Sequence, residues 1–245
     1  QSGALIRMKI ELLGATRSFG SVPVLHQISL TVEPGQVVAL LGANGSGKTT
    51  LFRCVSGILL LDQGELRCDG EVFRRDRIDL RRRMFFLPDF PAVFPEMTLI
   101  RHIEMVLQLY ECDQPGIEEK VVELLREFDL LPLVDCSLGT VSRGQAYKAA
   151  LAALLAVDPE LWLLDEPFAS GVDARGLSAF RRHCKEATNR GRTVIYSTQL
   201  IEVVDGFADQ ICVLNKGRLI HFSNIFNFQQ ALADPHSPLA EAFGS

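Results

Sequence analysis

Residues 40–52, with the sequence LLGANGSGKTTLF, limit the possible folds of this chain more than any other segment. They place the pattern G-x-x-x-x-G-K-T after apolar residues that predict a strand and before residues that predict a helix. Gly42, Gly45 and Gly47 let the backbone turn so that successive amide groups point inward, and the helix adds the positive end of its dipole. The segment therefore predicts a phosphate-binding loop between a buried strand and a helix.

The side chains of this loop predict a site for a nucleotide and a magnesium ion. Lys48 would place its ammonium group at the β- and γ-phosphates, and the Thr49 hydroxyl would bind Mg²⁺. The residues assigned to nucleotide binding are Gly42, Asn44, Gly45, Ser46, Gly47, Lys48, Thr49 and Thr50. An ordinary glycine-rich turn is the alternative, and the consecutive strand, loop and helix argue against it.

A second apolar run, residues 160–166 with the sequence ELWLLDE, ends in two adjacent carboxylates. At the tip of a buried strand, Asp165 would reach the Mg²⁺ shell, directly or through water. Glu166 would face the γ-phosphate and polarise the attacking water. Adjacent carboxylates are also common in solvated turns, so the catalytic interpretation depends on the phosphate-binding loop earlier in the chain.

The strand-forming segments predict an α/β fold. Short apolar runs rich in β-forming residues occupy residues 37–42, 83–88, 160–166 and 193–198. Such runs are typical of strands buried on both faces, and the spacing between them leaves room for helical crossovers. We therefore expect a mainly parallel sheet with flanking helices. Residues 209–222 predict two further strands, joined by a turn at residues 215–217.

A helical region separates the second and third of these strands. Residues 98–112 and 117–130 carry apolar residues at helical spacing, and Thr98 stands where an N-cap residue would. A third helix is expected to begin near Ser142 and to run through the segment AYKAALAALLA. Together these segments predict an all-helical insertion at about residues 90–155.

The composition excludes several other classes of protein. A chain of 245 residues that is 47% hydrophobic and 22% charged has the profile of a soluble globular protein. No apolar run approaches the ~20 residues of a membrane-spanning helix, and the net charge of −5 gives no general attraction to nucleic acid. Residues 74–83, RRDRIDLRRR, favour a solvated edge over a nucleic-acid or lipid patch, because no aromatic residues are interleaved. The six cysteines lie far apart and predict reduced, buried side chains.

The segment VSRGQ, residues 141–145, lies 20 residues before Asp165 and resembles the signature motif of ABC transporter ATP-binding subunits, usually LSGGQ. The resemblance extends over about residues 9–223. It implies that two such domains pair head to tail, so that the signature of one closes over the γ-phosphate bound by the other. The signature residues expected to contact nucleotide are Ser142, Gly144 and Gln145. Arg143 replaces a glycine, and it would either add a cation near the phosphate or loosen closure by its bulk.

The same resemblance implies a P-loop NTPase core that carries an antiparallel β subdomain besides the helical insertion. Phe19 matches the aromatic residue that stacks on adenine, with a core phenylalanine as the alternative. Asp89 replaces a glutamine that senses Mg²⁺ and the γ-phosphate, and a carboxylate can also bind Mg²⁺. Residues 165–173, DEPFASGVD, resemble the D-loop but are one residue longer, which leaves the role of Asp173 open.

Gln199, in the segment VIYSTQL, stands where the resemblance implies a histidine. A histidine donates to the γ-phosphate and can carry charge near neutral pH, whereas a glutamine amide donates but is always neutral. We assign catalytic roles to Gln199, Lys48 and Glu166. Losing one charged donor would cost on the order of 2–4 kcal/mol of transition-state stabilisation. We therefore expect slow ATP hydrolysis by the isolated chain.

The resemblance implies an ATP-hydrolysing motor subunit of an ABC membrane transporter, with ATP and Mg²⁺ as cofactors. Its partners would be a second ATP-binding subunit and an integral membrane permease, but no nucleic acid. It would lie in the cytoplasm on the inner face of the cell membrane. Residues 87–103, LPDFPAVFPEMTLIRHI, resemble bacterial exporter subunits, which favours export.

Two alternatives to the transporter stay open. One is a soluble ATPase of the same group that acts in iron–sulfur assembly, in DNA repair or on the ribosome. The other is a regulatory nucleotide-binding subunit that hardly hydrolyses ATP. For the chain boundaries, we expect residues 1–7 to include an expression remnant, residues 8–223 to form the ATPase domain, and residues 224–245 to dock as a helix or to fray.

Overall fold

The computed structural model describes residues 7–234 and 236–243 of the protein. The expected expression remnant lies outside the described residues except for Arg7. In chain order the strands and helices are β1 (Ile10–Phe19), β2 (Val22–Val32), β3 (Val37–Leu41), α1 (Lys48–Val55), β4 (Gln63–Cys68), β5 (Glu71–Val72), α2 (Ile78–Arg82), β6 (Met84–Leu87), α3 (Leu99–Leu109), α4 (Ile117–Glu127), α5 (Arg143–Val157), β7 (Leu161–Leu164), α6 (Ala174–Asn189), β8 (Thr193–Thr198), β9 (Gln210–Asn215), β10 (Arg218–Asn224), α7 (Ile225–Ala233) and α8 (Pro238–Phe243).

The central sheet has six strands in the order β10-β9-β3-β8-β7-β6. Neighbouring strands from β9 to β6 run parallel, whereas β9 and β10 form an antiparallel pair. Strands β3, β6, β7 and β8 fall within the predicted apolar runs, so the mainly parallel sheet is confirmed. Because these strands run in one direction, the segments that follow them meet at one edge of the sheet.

The central sheet separates two apolar cores. Val37, Ala39 and Leu41 of β3 belong to the core that contains α5 and α6. Val38 and Leu40 point to the opposite face, into the core that contains α1 and the second sheet. That second sheet is antiparallel throughout, with the order β2-β1-β4-β5. It is the antiparallel β subdomain that the family resemblance implies.

Helices α3, α4 and α5 lie in the region where the sequence predicts a helical insertion. The Thr98 hydroxyl accepts a hydrogen bond from the Arg101 amide at 3.4 Å, so the predicted N-cap of α3 is confirmed. Helix α5 is buried on all sides, because every residue from Tyr147 to Ala156 is buried. Its small alanine side chains let α3 and α4 pack closely against it.

The hairpin of β9 and β10 supports the phosphate-binding loop. Its turn falls at the predicted place, and both Lys216 and Gly217 have positive φ angles, of 45° and 73°. The Gly217 amide donates to the Ser46 carbonyl at 2.9 Å, and the Gly217 carbonyl accepts from the His26 amide at 2.8 Å. A Cβ atom at position 217 would lie 2.1 Å from the carbonyl oxygen of Val24. Glycine is therefore required there by its φ angle and by close contact with β2.

The arginine-rich segment 74–83 forms ion pairs within the chain. Arg77 lies 2.7 Å from Asp79, and the hydrogen bonds from Arg77 lower the pKa of Asp79 to about 2. Arg83 donates two hydrogen bonds to Glu160, at 2.8 and 2.7 Å. These acids balance part of the positive charge that the sequence places at this edge.

The C-terminal segment packs as helices against the hairpin. Asn224 caps α7, where its side chain accepts a hydrogen bond from the Asn227 amide at 2.9 Å. Phe228 of α7 and Leu239 of α8 are buried in the core that contains α5. Among the described residues, no helix is both long enough and apolar enough to span a membrane.

Candidate nucleotide-binding site

Nine of the predicted site residues line one cavity of about 310 Å³ beside the central sheet. The complete lining is Val24, Asn44, Gly45, Gly47, Lys48, Thr49, Thr50, Asp89, Asp165 and Glu166. The cavity forms because the carboxyl ends of β3, β6 and β7 meet at this edge of the sheet. Val24 is the lining residue that sequence reasoning missed, since an apolar residue in a strand carries no signal of a site.

The loop between β3 and α1 presents amide groups that fit an anion. The amide groups that donate no hydrogen bond to another described residue include those of Ala43, Asn44, Gly45 and Gly47. Gly45 and Gly47 have φ angles of 78° and 106°, which favour glycine. A Cβ atom at Gly42 would lie 2.4 Å from a carbonyl oxygen of β9. Unpaired amides at the start of a helix bind phosphate groups, so the loop fits the triphosphate of a nucleotide.

Lys48 lies inside this loop with only 6% of its surface exposed. Its ammonium group donates to the carbonyl oxygens of Gly42 at 2.7 Å and Ala43 at 3.2 Å. It also lies 3.2 Å from Oε1 of Glu166. The charge is thus held at the floor of the cavity, where it can neutralise a phosphate oxygen.

Asp165 is held by two hydroxyl groups. Thr49 donates to its Oδ2 and Ser197 donates to its Oδ1, each at 2.6 Å. The Thr49 hydroxyl and the Asp165 carboxylate are hard oxygen donors side by side, the chemistry that Mg²⁺ prefers. They therefore fit the predicted metal site. Ser197, the second-last residue of β8, was missed by sequence reasoning, because only the sheet order brings β8 beside β7.

Glu166 begins the turn that follows β7. Its φ angle of 48° lies in the left-handed region, which redirects the chain directly after Asp165. Its amide donates to the Ser197 hydroxyl at 2.9 Å, which fixes the backbone of this turn. Its buried Oε1 atom has no hydrogen-bond partner among the described residues, although it lies beside the Lys48 ammonium group. A carboxylate that lines the phosphate cavity directly after Asp165 fits the role of a base toward water.

Asp89 reaches the cavity from the segment that follows β6. Its carboxylate pairs with the guanidinium group of Arg143, the first residue of α5. The guanidinium carbon of Arg143 lies 4.0 Å from the centre of the Phe90 ring. Two of the positions at which the sequence departs from the family pattern, Asp89 and Arg143, therefore contact each other.

A family model described as ABC transporter matches residues 25–169, which is more than half of the chain. This chain belongs to the ABC transporter family. It is an ATP-binding domain of the kind that hydrolyses ATP for these transporters. The predicted family and the predicted P-loop NTPase fold are thereby confirmed.

Several ABC proteins are similar to this chain over most of its length. The ABC-type transporter ATP-binding protein EcsA of Bacillus subtilis (strain 168) is 29% identical, over 88% of this chain and 85% of its own length. The SkfA peptide export ATP-binding protein SkfE of the same organism is 29% identical, over 84% and 85%. The sulfate/thiosulfate import ATP-binding protein CysA of Salmonella typhimurium is 36% identical, over 86% of this chain and 59% of its own length.

A solved structure shares the fold of this ABC domain. The ATP-binding subunit of an ABC transporter superposes with a TM-score of 0.87 at 23% identity. The match covers 96% of this chain and 98% of that chain.

The signature residues of this ABC domain form the start of α5. The Ser142 hydroxyl accepts a hydrogen bond from the Gln145 amide at 3.2 Å, and the Gln145 side chain accepts one from the Ser142 amide at 2.8 Å. This capping box satisfies both side chains within their own helix. Gly144 packs against the D-loop, because a Cβ atom there would lie 2.3 Å from the Gly171 carbonyl oxygen. Their contacts to nucleotide stay a prediction.

Four other predicted site residues do not line the cavity. Phe19 is 45% exposed at the end of β1, with the guanidinium carbon of Arg17 5.2 Å from its ring centre. It is therefore not a core residue, and the exposed part of its ring can stack on a base. Gln199 is exposed directly after β8. Gly42 and Ser46 are buried residues of the loop itself, and the Ser46 hydroxyl has no hydrogen-bond partner among the described residues.

Asp173, the residue with an open assignment in the D-loop, contacts its own chain. Its side chain caps α6 by accepting a hydrogen bond from the Gly176 amide at 2.8 Å. It also forms an ion pair with the buried Lys148 of α5. A hydrogen bond from Lys148 lowers the pKa of Asp173. These contacts connect the D-loop to α5, the helix that begins within the signature.

Proposed function

We propose that this chain is the motor of a membrane exporter, in which two ATP-binding subunits pair head to tail and drive a separate permease. The observation that carries the proposal is the cavity itself. It combines unpaired loop amides, the Lys48 ammonium group and the Glu166 carboxylate within one space. The chain would lie at the inner face of the cell membrane, where ATP is available and the permease can be reached.

Each group of residues in the cavity would have its own role in ATP hydrolysis. The loop amides and Lys48 would bind the phosphates and neutralise the charge that moves onto the leaving group. Thr49 and Asp165 would hold Mg²⁺, with Asp89 as the further predicted ligand, and the ion supplies additional neutralisation of phosphate charge. Glu166 would accept the proton of the attacking water, and Phe19 would stack on adenine. Ser142, Gly144 and Gln145 of a second subunit would complete the site.

A groove beside the helical insertion supports the permease as partner. It is a space of about 450 Å³ between α1, α2, β6 and α3. Ile58, Ile78 and Leu109 line it and expose 47, 59 and 63% of their surface. Exposed apolar residues that line a groove are typical of surfaces that receive an amphipathic helix of a partner. The segment 89–95, with the exposed Phe90 and Phe94, is a second surface that would receive the permease.

The direction of transport is proposed from resemblance. Residues 87–103 resemble exporter subunits, and SkfE is named for peptide export. Import is the competing direction, because CysA, which is named for sulfate and thiosulfate import, is 36% identical to this chain. Transport assays with vesicles that contain the permease would distinguish the two.

ATP hydrolysis tests the catalytic part of the proposal. We expect MgATP turnover by the purified chain, its loss with EDTA, and a loss of at least about a hundredfold in Glu166→Gln. Lys48→Ala should lose nucleotide binding as well. Turnover of Glu166→Gln at the rate of the parent would show that Glu166 is not the base.

Association with a membrane protein tests the transporter part. The tagged chain, purified from solubilised membranes of its source cells, should retain a polytopic membrane protein. Ile58→Glu and Leu109→Glu should release it, because each replaces an exposed apolar contact of the groove by a charge. Val122→Glu is a matched control, since Val122 is 42% exposed on α4 outside the groove. A purely soluble partner would instead support the soluble ATPase.

A further inference from the structure

Arg143 and Asp89 connect two parts of the chain that the sequence separates by 54 residues. Arg143 begins the signature helix α5, and Asp89 lines the phosphate cavity. The flat guanidinium group both pairs with the Asp89 carboxylate and covers the Phe90 ring. Only arginine can make both contacts at once, since its planar head bonds along an edge and stacks on a face.

The cavity contains an excess of negative charge. Its described lining holds three carboxylates, from Asp89, Asp165 and Glu166, and one ammonium group, from Lys48. Lys48 lies beside Glu166, and the hydroxyl partners of Asp165 carry no charge. Asp89 would therefore repel a triphosphate unless another cation compensates it. Arg143 supplies that positive charge from outside the lining.

We propose that Arg143 is a positioning residue for the nucleotide site of its own chain, where it neutralises and orients Asp89. This inference rests on the proposed function, because it concerns the same nucleotide site. The position within the signature would suggest a contact with nucleotide in the partner subunit. The contacts of Arg143 with Asp89 and Phe90 commit its guanidinium group to its own chain instead.

The expected change in ATP affinity depends on how far Arg143 and Asp89 are exposed to water. The side chains of Arg143 and Asp89 are 42% and 29% exposed, so water screens part of their interaction. A charge pair at the surface changes the affinity of a nearby anion by several-fold, not by orders of magnitude. We therefore expect a change of about threefold to tenfold in the dissociation constant of ATP.

The test is a double-mutant cycle on the binding of magnesium-free ATP. A fluorescent ATP analogue in EDTA reports the dissociation constant without any metal role of Asp89. Arg143→Gln should raise the constant about threefold to tenfold, because Asp89 then repels the phosphates uncompensated. In the Asp89→Asn background the same substitution should raise the constant less, because the carboxylate that Arg143 orients is absent. If Arg143 only stabilised the fold, Arg143→Gln would weaken ATP binding equally with and without the Asp89 carboxylate.

Two further variants control for charge and for folding. Arg175 forms an ion pair with Asp129, in which the closest nitrogen and oxygen atoms lie 3.0 Å apart. Neither residue lines the cavity. Arg175→Gln therefore removes one positive charge away from the nucleotide site. It should leave ATP affinity unchanged. Arg143→Lys keeps the positive charge but loses the planar guanidinium group that pairs with Asp89 and stacks on Phe90. We therefore expect a smaller loss of ATP affinity than in Arg143→Gln. If Arg143→Gln does not fold, Arg143→Lys with and without Asp89→Asn carries the same comparison.

Three results would overturn the inference. The first is an unchanged ATP affinity in Arg143→Gln. The second is an equal loss of ATP affinity in Arg143→Gln with Asp89 and with Asn at position 89. The third is a loss of ATP affinity that occurs only under conditions in which light scattering shows dimers. The last result would assign Arg143 to the partner's site. Failure of the proposed function looks different, because the parent chain would then bind no ATP with or without Mg²⁺.

Discussion

Gln199 places a neutral amide directly after β8, close to where the phosphate-binding loop begins. The Gly42 amide donates to the Thr198 carbonyl at 3.2 Å, so the two segments are in contact. The Gln199 side chain is exposed and does not line the cavity. Its catalytic role therefore requires the side chain to turn toward bound nucleotide.

We expect Gln199→His to raise kcat for ATP about tenfold or more, because imidazole can donate as a cation to the transferring phosphate. Steady-state ATPase assays of the parent, Gln199→His and Gln199→Ala measure this. The alanine variant separates the gain of an imidazole from the loss of an amide. An unchanged or lower rate in Gln199→His would contradict the prediction.

The burial of His102 in α3 should make the stability of the protein depend on pH. Its side chain is 5% exposed, and burial lowers its pKa from the ordinary value of 6.5. As pH falls through 6.5, the unfolded chain binds a proton that the folded chain does not, so the free energy of unfolding decreases. We expect His102→Leu to lose less stability between about pH 7 and pH 5 than the parent. Urea unfolding at each pH measures this, and the exposed His236→Gln should behave like the parent.

At the scale of elements, the β9–β10 hairpin is structurally coupled to the phosphate-binding loop through Gly217. Gly217→Ala places a methyl group against β2 at a left-handed φ angle. We expect it to lower the free energy of unfolding by about 2–4 kcal/mol and to weaken nucleotide binding. The second effect follows because the Gly217 amide holds the Ser46 carbonyl.

Gly70→Ala is the matched control for Gly217→Ala. Gly70 has a φ angle of 81°, but no atom lies within 4 Å of the position its Cβ would take. Its substitution should cost about 1 kcal/mol through the φ angle alone and leave nucleotide affinity unchanged. Equal losses in urea unfolding, with equal nucleotide affinities, would show that the hairpin does not support the loop.

At the scale of the whole molecule, nucleotide should change the oligomeric state. The chain has a mass of 27.1 kDa and a net charge of −5, so two copies repel each other at long range. Bound nucleotide would supply contacts between the loop of one copy and α5 of the other. We expect MgATP to convert Glu166→Gln, which binds without hydrolysis, into a species of twice this mass. Light scattering measures it, with Lys48→Ala as the control that should stay monomeric.

The features of the fold that could be predicted from the sequence are those with a local cause. Strands β3, β6, β7 and β8, the cap at Thr98 and the turn at Gly217 all follow from neighbouring residues. Hydrophobic runs, capping side chains and the φ freedom of glycine act within a few positions of the chain. For the same reason the sequence predicted nine residues of the cavity lining, since they belong to short motifs at strand ends.

The sequence by itself determined the family, the α/β architecture and the chemical groups of the nucleotide site. Only the tertiary structure decided which of those groups meet. The Ser197 hydroxyl reaches Asp165 because β8 pairs with β7, and Arg143 reaches Asp89 because α5 begins beside the end of β6. Phe19 and Gln199 lie outside the cavity although their motifs match or approach the family pattern. Such contacts depend on sheet order and side-chain packing across the chain, and neither is encoded in any single segment.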